Sequence, residues 1–548
     1  MTGKVFSDFV SKGLFPAFVY LLLFILLTFP LILNFSSHFF TDTGDGFTNI
    51  WNIWWINEAV TELHQSPWST TFLHFPQGTS LLGHTLNPFN GYVGIGLQKV
   101  FSLTQTHNIM ILFSFVIGGL TAFLLTFHLT RFYLGSLVAG FIFTFSNYHF
   151  SHAEGHMQLV SLEWIPLFLL CWLIFIEKPG IGVGLGGAGV LFLVILCDYY
   201  YFFYCVITAI LITGWNILKK KDVFFLLRKK YILPLLAFLG GVFATSGVLA
   251  TSLLIFSAKN PLLGAHHPKV FSLDLLAIFI PGGHWRFESL TRFYWTKLTG
   301  NFHENSVYIG LTLFFILSYS WIKRKNIRVP TLRLWYFLFL FFFVLSLGPV
   351  LHIWGKEVPW LKLPYALLEF IFPPLKMGGT PIRMMVMVTL SAGIIFAMGF
   401  KKLWADLSKK RWCLVLLLIF LCFEYLPRPL PETRVDVPEY VYALKELPGN
   451  KGVIDTVADP PPFALYYQTI HKKPIAEGYI ARIPEAVALQ NGRIMQLLHD
   501  GEYGSLYRFY HFQYLVTYKK METSSLAPVR RVFDDGEIRI YDLGAAWE

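Results

Sequence analysis

The sequence predicts an α-helical protein that crosses a membrane about eleven times and ends in a small external α/β domain. Composition gives the first indication, because 55% of the residues are hydrophobic and only 14% are charged, whereas a soluble domain is about 25% charged. The second is a series of apolar runs close to the roughly 20 residues that a membrane-crossing helix needs. The predicted spans are residues 14–35, 107–128, 132–147, 158–176, 182–197, 199–217, 231–257, 306–323, 332–351, 379–400 and 411–427.

Basic residues indicate how these spans are oriented. They cluster in the short turns 219–230, 323–328 and 401–411. By the positive-inside rule these turns are cytoplasmic, the N-terminus with Lys4 and Lys12 is cytoplasmic too, and the C-terminal part of the chain is external. The net charge of +11 therefore reports topology, and we predict no nucleic-acid partner.

One apolar stretch, residues 89–104, does not fit the pattern of a full span. It is short and interrupted by glycine, so we interpret it as a re-entrant or interfacial helix. The alternative count makes it a true span and fuses 182–217 into a single crossing. That alternative would place Arg131 outside, which fits the positive-inside rule less well.

Composition changes after residue 427 and predicts a domain boundary. Residues 1–427 are expected to form a transmembrane domain with external loops 36–106 and 258–305, and residues 428–548 a small external α/β domain. In the latter, short apolar pieces alternate with helical patterns. Asp534–Asp535–Gly536 carries the turn signal of a β-hairpin.

The external loops carry the candidate chemistry, since the chain has no glycine-rich nucleotide-binding motif. An external reaction without a nucleotide needs an activated substrate that arrives within the bilayer, such as a lipid-phosphate-linked sugar. Asp42 and Asp45 are the candidate general bases of the first loop, and Asn49, Trp54 and Trp55 are candidate substrate-binding residues. The structural alternative is a surface turn whose Asp42 or Thr48 caps the following helix, with the tryptophans in an interfacial aromatic belt.

Cations at the outer boundary are needed to hold the leaving phosphate. Arg286, Arg292 and Arg383 are the candidates, because a guanidinium binds phosphate oxygens in bidentate fashion. Arg383 opens an apolar run, where an arginine is costly unless it is paired or functional. Its alternative is to reach the lipid head groups.

Three further residues are candidate substrate contacts: His84, His152 and Glu304. Glu304 precedes a span and has a second interpretation, which is a local cap or a local pairing. His152 also lies with His149 and His156 at a spacing that would share one helix face, so a divalent metal ion is a candidate cofactor. Histidines at a wet interface are the alternative.

Several segments together resemble a known superfamily. GDGFTNIWNIWW, FPQGTSLLGHTLNPFNG, FTFSNYHFSHAEGHMQLVSLEWIP, ENSVYIGLTLFF and KMGGTPIRMMVMVTLSAG are similar to uncharacterised bacterial and archaeal membrane proteins of the GT-C glycosyltransferase superfamily. The resemblance implies a GT-C-like fold in the plasma membrane and an inverting transfer of a hexosyl or pentosyl group. The donor would be a polyprenyl-phosphate sugar, and the acceptor a glycan, lipid or protein. It gives Asp45 the role of base and Asp42 that of a helper or metal-facing carboxylate.

Two other classes of function account for the spans. One is a transporter or flippase component, which would carry charged residues along a path inside the spans, and few are present. The other is a non-catalytic envelope assembly protein that binds a partner through its C-terminal domain. The acidic pair of the first loop favours the enzyme.

Overall fold

The computed structural model describes residues 10–264, 266–327, 329–371, 378–449, 451–459, 461–521, 526 and 529–547. Lys4 and Arg328, two of the basic residues used for the predicted topology, lie outside these ranges. The described chain is mostly helical. Its α-helices are Phe15–Thr28, Asp45–Asn57, Pro88–Leu97, Leu103–Thr130, Tyr133–Thr144, Asn147–Ala153, Met157–Val160, Trp164–Glu177, Ile181–Cys197, Tyr199–Lys220, Lys229–Val242, Val248–Lys259, Arg292–Trp295, Leu311–Ile322, Leu332–Ser346, Pro364–Ile371, Met385–Asp406, Arg411–Glu424, Glu439–Glu446, Pro462–His471, Glu485–His499, Tyr503–Tyr510 and Gly544–Trp547.

Short helical turns extend or link several of these helices. The π-helical turns are Val10–Leu14, Glu58–Glu62 and Phe243–Gly247. The 3₁₀ turns are Leu31–Asn34, Phe225–Leu227, Glu288–Thr291, Pro381–Met384 and Lys519–Met521.

Within the described ranges, six helical segments are long and apolar enough to cross a membrane. They are Val10–Thr28, Leu103–Thr130, Met157–Glu177, Tyr199–Lys220, Lys229–Lys259 and Pro381–Asp406. Shorter apolar helices are Tyr133–Thr144, Ile181–Cys197, Leu311–Ile322 and Leu332–Ser346. These helices identify a membrane protein, while the number of eleven crossings stays a prediction.

The chain forms two compact units. Unit 1 contains Met1–Asn34, Asn108–Leu249 and Ala265–Leu430, and unit 2 contains Phe35–His107, Ala250–Gly264 and Pro431–Glu548. The segment predicted as the first external loop thus belongs to the same unit as the C-terminal segment.

Unit 1 is built around the segment Pro381–Asp406, whose most apolar window is entirely buried. Close packing depends on small residues here, since a Cβ added to Gly399 would lie 2.8 Å from Ser320 Cβ. Glu424 caps the start of the helix Leu311–Ile322 in the same unit. Its carboxylate accepts the backbone N–H groups of Leu311 at 2.6 Å and Thr312 at 3.0 Å, and so satisfies the first donors of Leu311–Ile322.

The first predicted span, residues 14–35, has a different limit in the structure. Its helix ends at Thr28, followed by Pro30, because proline donates no backbone hydrogen bond. The apolar run 182–217 is divided at Asp198, as the two predicted spans 182–197 and 199–217 require. The Asp198 carboxylate accepts the N–H groups of Tyr200 at 2.8 Å and Tyr201 at 3.1 Å. An internal cap of this kind starts a new helix.

The stretch 89–104 contains no helix of membrane-crossing length. The helix Pro88–Leu97 has 10 residues, which is about 15 Å, whereas the apolar core of a bilayer is about 30 Å thick. Asn87 precedes it and accepts the N–H of Asn90 at 3.2 Å. The alternative count with a full span at this position is therefore disfavoured.

Unit 2 contains a four-stranded mixed sheet with helices packed against it. The strand order is Gly452–Asp455, Phe512–Tyr518, Ile538–Asp542 and Arg530–Asp534. The first pair is parallel and the other two are antiparallel. The last two strands form the hairpin that the turn signal predicted, with Gly536 at a φ of +96°.

Three two-stranded pairs complete the strands of the described residues. They are Ser69–Thr70 with Thr79–Ser80, Leu262–Leu263 with Ile483–Pro484, and Val350–Ile353 with Lys356–Lys362.

Candidate functional site

Asp42 organises the turn that precedes the first helix of unit 2. Its Oδ1 accepts the backbone N–H of Gly44 at 3.0 Å and of Gly46 at 3.1 Å. A side chain at position 46 would collide with Thr41, since an added Cβ would lie 2.2 Å from Thr41 Oγ1. The structural alternative for Asp42, a capping carboxylate, is therefore confirmed.

Asp45 is the first residue of the helix Asp45–Asn57 and is half-buried. A helix N-terminus favours a negative charge. The Tyr479 hydroxyl, from the C-terminal segment of the same unit, donates a hydrogen bond to Asp45. Burial, followed by the charge of Asp45 and this hydrogen bond, raises the pKa of Tyr479 to about 12, so the hydroxyl stays protonated and keeps donating.

His84 joins the first segment of unit 2 to the C-terminal segment. Its Nδ1 accepts the N–H of Ala481 at 3.1 Å, so its Nε2 carries the proton and donates to Asn52 Oδ1 at 3.0 Å. Burial, only partly offset by the charge of Asp45, lowers the pKa of His84 to about 3. Both ring nitrogens are engaged, which favours a positioning role over the predicted substrate contact.

The aromatic residues of this helix form core rather than surface. Trp54 and Trp55 are buried, and Trp55 stacks on Trp51 with ring centroids 5.6 Å apart. Trp55 Nε1 donates to Pro67 O at 3.0 Å. Neither the predicted sugar contact nor an interfacial belt fits rings that are enclosed by protein, so a packing role is favoured.

Asn49 is likewise buried. Its Nδ2 donates to the carbonyl oxygen of Asp45 at 2.9 Å, one helical turn earlier. The side chain thus supports the start of the helix. Its predicted contact with substrate stays a prediction.

In unit 1, Arg383 and Glu304 form a buried ion pair. Arg383 Nε lies 2.9 Å and Nη2 2.5 Å from Glu304 Oε1, and the guanidinium lies 5.0 Å from the ring centre of Tyr200. Burial acts to raise the pKa of Glu304, but the charge and hydrogen bonds of Arg383 outweigh it and lower that pKa. The local ion pair, the second interpretation of Glu304, is confirmed.

Arg286 and Arg292 differ from Arg383 in their environment. Both side chains are exposed, and Arg292 opens the short helix Arg292–Trp295. The three predicted phosphate-binding residues therefore do not share one environment. Only the exposed pair can meet a phosphate without breaking an internal ion pair.

The predicted row of three histidines does not form one helix face. The helix Asn147–Ala153 ends before His156. The two ring nitrogens of His149 contact backbone carbonyl oxygens, Nδ1 that of Thr144 at 2.7 Å and Nε2 that of Val160 at 3.0 Å. His152 remains close to His156, with their Nδ1 atoms 3.3 Å apart. A metal site that includes His149 is therefore wrong.

His152 is fully buried. Its Nε2 lies 3.8 Å from Glu304 Oε2. Burial, followed by the charges of His156 and Arg383, holds its pKa well below the ordinary value, so the imidazole is neutral. Substrate contact by His152 stays a prediction.

Tyr479 was not predicted as a site residue. Tyr479 is one of 26 tyrosines in the chain, and no local pattern distinguishes it. It approaches Asp45 only because the C-terminal segment folds into the same unit. Glu154, His284 and His303 of unit 1 were also missed as a group, although their ligand atoms lie within 4.8 Å of one another.

A comparison with protein-family models assigns the chain to a family. A family model described as a domain of unknown function, DUF6311, matches residues 17–424, which is well over half of the sequence. The chain belongs to the DUF6311 family. No curated protein matches its sequence significantly.

Solved structures show what this DUF6311 fold is similar to. The arabinofuranosyltransferase AftD from Mycobacteria, in a mutant form, aligns with a TM-score of 0.55 and 13% identity over 96% of this chain and 41% of AftD. This likeness concerns the fold alone, and it agrees with the fold that the predicted resemblance implies. The chain spans less than half of AftD's length.

Two further alignments are weaker. The oligosaccharyltransferase AglB from Archaeoglobus fulgidus, with an inhibitory peptide and a dolichol-phosphate, gives a TM-score of 0.45 and 14% identity over 93% of this chain and 70% of AglB. ArnT from Cupriavidus metallidurans, bound to undecaprenyl phosphate, gives 0.40 and 9% over 96% and 98%. With TM-scores below 0.5, neither alignment carries weight here.

Proposed function

We propose that this DUF6311 protein is a glycosyltransferase with a polyprenyl-phosphate-linked sugar donor that works at the non-cytoplasmic face of the membrane. The observation that carries the proposal is the environment of Asp45. A carboxylate at a helix N-terminus, bound by the Tyr479 hydroxyl, occurs in a chain with a fold like that of AftD. An ionised carboxylate of this kind is suited to accept a proton.

The proposed reaction is a direct displacement. The acceptor oxygen attacks the anomeric carbon from the side opposite the phosphate, and its proton passes to Asp45. The bond between the anomeric carbon and the phosphate oxygen breaks, and the lipid phosphate leaves with the electron pair. The configuration of the sugar carbon is inverted.

Asp45 is favoured over Asp42 as the base. Asp42 Oδ1 already accepts two backbone N–H groups, and these bonds stabilise its ionised form and fix it in the turn. We therefore assign Asp42 to positioning of the Asp45 helix. Its predicted role as a metal-facing carboxylate is not part of the proposal.

Arg286 and Arg292 are proposed to meet the leaving phosphate. Both are exposed, whereas Arg383 would have to break its ion pair with Glu304 before it could bind the phosphate. Replacing both exposed arginines by glutamine is expected to raise the KM for the donor and to change kcat less. An unchanged donor KM would remove them from the proposal.

The deciding experiment is transfer of labelled sugar from a panel of polyprenyl-phosphate donors to a membrane-derived acceptor mixture by the purified chain. Asp45→Asn is compared with Asp436→Asn, the same change at a side chain of unit 2 that is 93% exposed. We expect transfer by the wild type and the control, and a loss of about 10²-fold or more in Asp45→Asn.

Two results of this experiment would contradict all or part of the proposal. A folded wild-type protein that transfers no sugar from any donor contradicts the proposal and favours a transport or assembly function. Transfer that survives Asp45→Asn retains the enzyme but excludes Asp45 as its base.

A further inference from the structure

Glu154, His284 and His303 meet inside unit 1 although they are far apart in sequence. The three ligand atoms lie within 4.8 Å of one another. Glu154 and His284 are buried, and His303 is half-buried. One carboxylate thus faces two imidazoles in a largely enclosed place.

The distances within this cluster fit a shared cation. Glu154 Oε1 lies 3.2 Å from His284 Nδ1, and Glu154 Oε2 lies 3.6 Å from His303 Nδ1. Ligand atoms that bind one tetrahedral zinc ion at about 2.1 Å are about 3.4 Å apart. A strong hydrogen bond between a protonated imidazole and a carboxylate would be shorter, about 2.7–2.9 Å.

Packing fixes the orientation of His284, whose Nδ1 faces Glu154 Oε1. His284 stacks on Phe302 with ring centroids 4.4 Å apart, so its ring is held in place.

The ring of His303 is turned towards Glu154. Its Nδ1 lies 3.6 Å from Glu154 Oε2 and 3.3 Å from Ser151 O. The ring centroid of His156 lies 5.8 Å from that of His303, which makes His156 a candidate for a fourth ligand.

The surrounding backbone brings the ligands together. Ser151 Oγ donates to the carbonyl oxygen of His303, and Asn147 Nδ2 donates to Tyr308 O at 3.3 Å. These bonds join the segment that carries Glu154 to the segment that carries His303. These hydrogen bonds hold the two segments together whether or not a metal ion is bound.

We propose that Glu154, His284 and His303 bind a divalent transition-metal ion, with Zn²⁺ the best match to two imidazoles and one carboxylate. The ion links residues 146–157 to the segment 284–303. This site does not depend on the proposed glycosyl transfer, and metal binding can be measured when no substrate is known.

The test uses the full chain, purified in detergent, stripped with a chelator and reloaded with Zn²⁺. Metal analysis after removal of free ion is expected to find about one zinc per chain. Glu154→Gln and His284→Asn are expected to lose it, whereas His499→Asn, a change at an exposed histidine, keeps it. Zn²⁺ is expected to raise the unfolding temperature of the stripped wild type but not of Glu154→Gln.

Two further measurements keep the proposal falsifiable. In the first, Co²⁺ replaces Zn²⁺ in the wild type, where its visible absorption reports a low-coordinate metal site. This measurement needs no variant, so it holds even when a variant folds poorly. No retained zinc, no thermal shift and no cobalt spectrum in the wild type would overturn the proposal. Equal zinc in the wild type and in both ligand variants would overturn it as well, and would leave a metal-free pairing of Glu154 with the histidines.

Discussion

At the scale of single residues, Asp45 and Glu304 show two uses of a carboxylate. Asp45 is half-buried at a helix N-terminus and accepts a hydrogen bond from a neutral hydroxyl. Glu304 is buried and neutralises Arg383. The first arrangement leaves a carboxylate that can take up a proton, whereas the second holds one that is fixed in its charged form.

The Tyr479 hydroxyl positions Asp45, so its removal tests the proposed base indirectly. Tyr479→Phe is expected to lower kcat several-fold and to change the donor KM little, a smaller loss than that of Asp45→Asn. Tyr442→Phe, at another exposed tyrosine of unit 2, is the control. A Tyr479→Phe enzyme with wild-type kcat would show that this hydrogen bond does not matter for transfer.

The Glu304–Arg383 pair predicts a strong and asymmetric effect on stability. Glu304→Gln leaves a buried guanidinium without its counter-charge, and we expect it to lower the free energy of unfolding by about 3–5 kcal/mol. The double variant with Arg383→Gln should recover part of this loss. A double-mutant cycle based on thermal or denaturant unfolding measures the difference.

Equal and additive losses in the two single variants would contradict this prediction. Lys402→Gln is a suitable control, because Lys402 forms a more exposed pair with Asp406 in the same unit. A partly exposed pair is worth at most about 1 kcal/mol.

At the scale of elements, carboxylates organise the starts of three helices. Asp42, Asp198 and Glu424 each satisfy the free N–H groups at the start of a helix. Asp198 divides one apolar run into two helices. Such caps were only partly foreseeable, because the donor groups they satisfy become known only when the helix limits are known.

The link between the first segment and the C-terminal segment of unit 2 makes its stability sensitive to acid. His84 has a pKa of about 3 in the folded chain and an ordinary value of 6.5. The unfolded chain therefore binds the extra proton between these values, and stability falls as the pH drops from about 6.5 towards 3. One such group contributes up to about 1.4 kcal/mol per pH unit.

His84→Gln should reduce this dependence of the unfolding temperature on pH. His499→Gln, at an exposed histidine, should leave it unchanged. His74 and His471 have lowered pKa values for the same cause, burial, so part of the acid sensitivity will remain. An identical pH profile for His84→Gln and the wild type would refute the assignment.

At the scale of the whole molecule, the apolar pattern predicted most helices but not which segments fold together. The helix Arg411–Glu424 lies within the predicted span 411–427. Asp45 was predicted as a candidate, but Tyr479 was not. The two become neighbours through chain folding over hundreds of residues, which no local spacing records.

The predicted topology can be tested on the intact chain without its natural cysteines. A single cysteine at Asp436 should react with a membrane-impermeant maleimide in intact cells, and one at Lys325 only after permeabilisation. Both positions are exposed, so access to the side chain is not limited by packing. Labelling of both positions from the same side would contradict an odd number of crossings between them.

The cap supplied by Glu424 determines when the start of the helix Leu311–Ile322 can reach its final structure. Leu311 and Glu424 are separated by 113 positions in the chain. The residues of the helix Leu311–Ile322 are therefore synthesised long before their capping carboxylate leaves the ribosome. During that interval the first N–H groups of the helix must be satisfied by water or by another partner. The final structure of this end can form only when translation has passed residue 424.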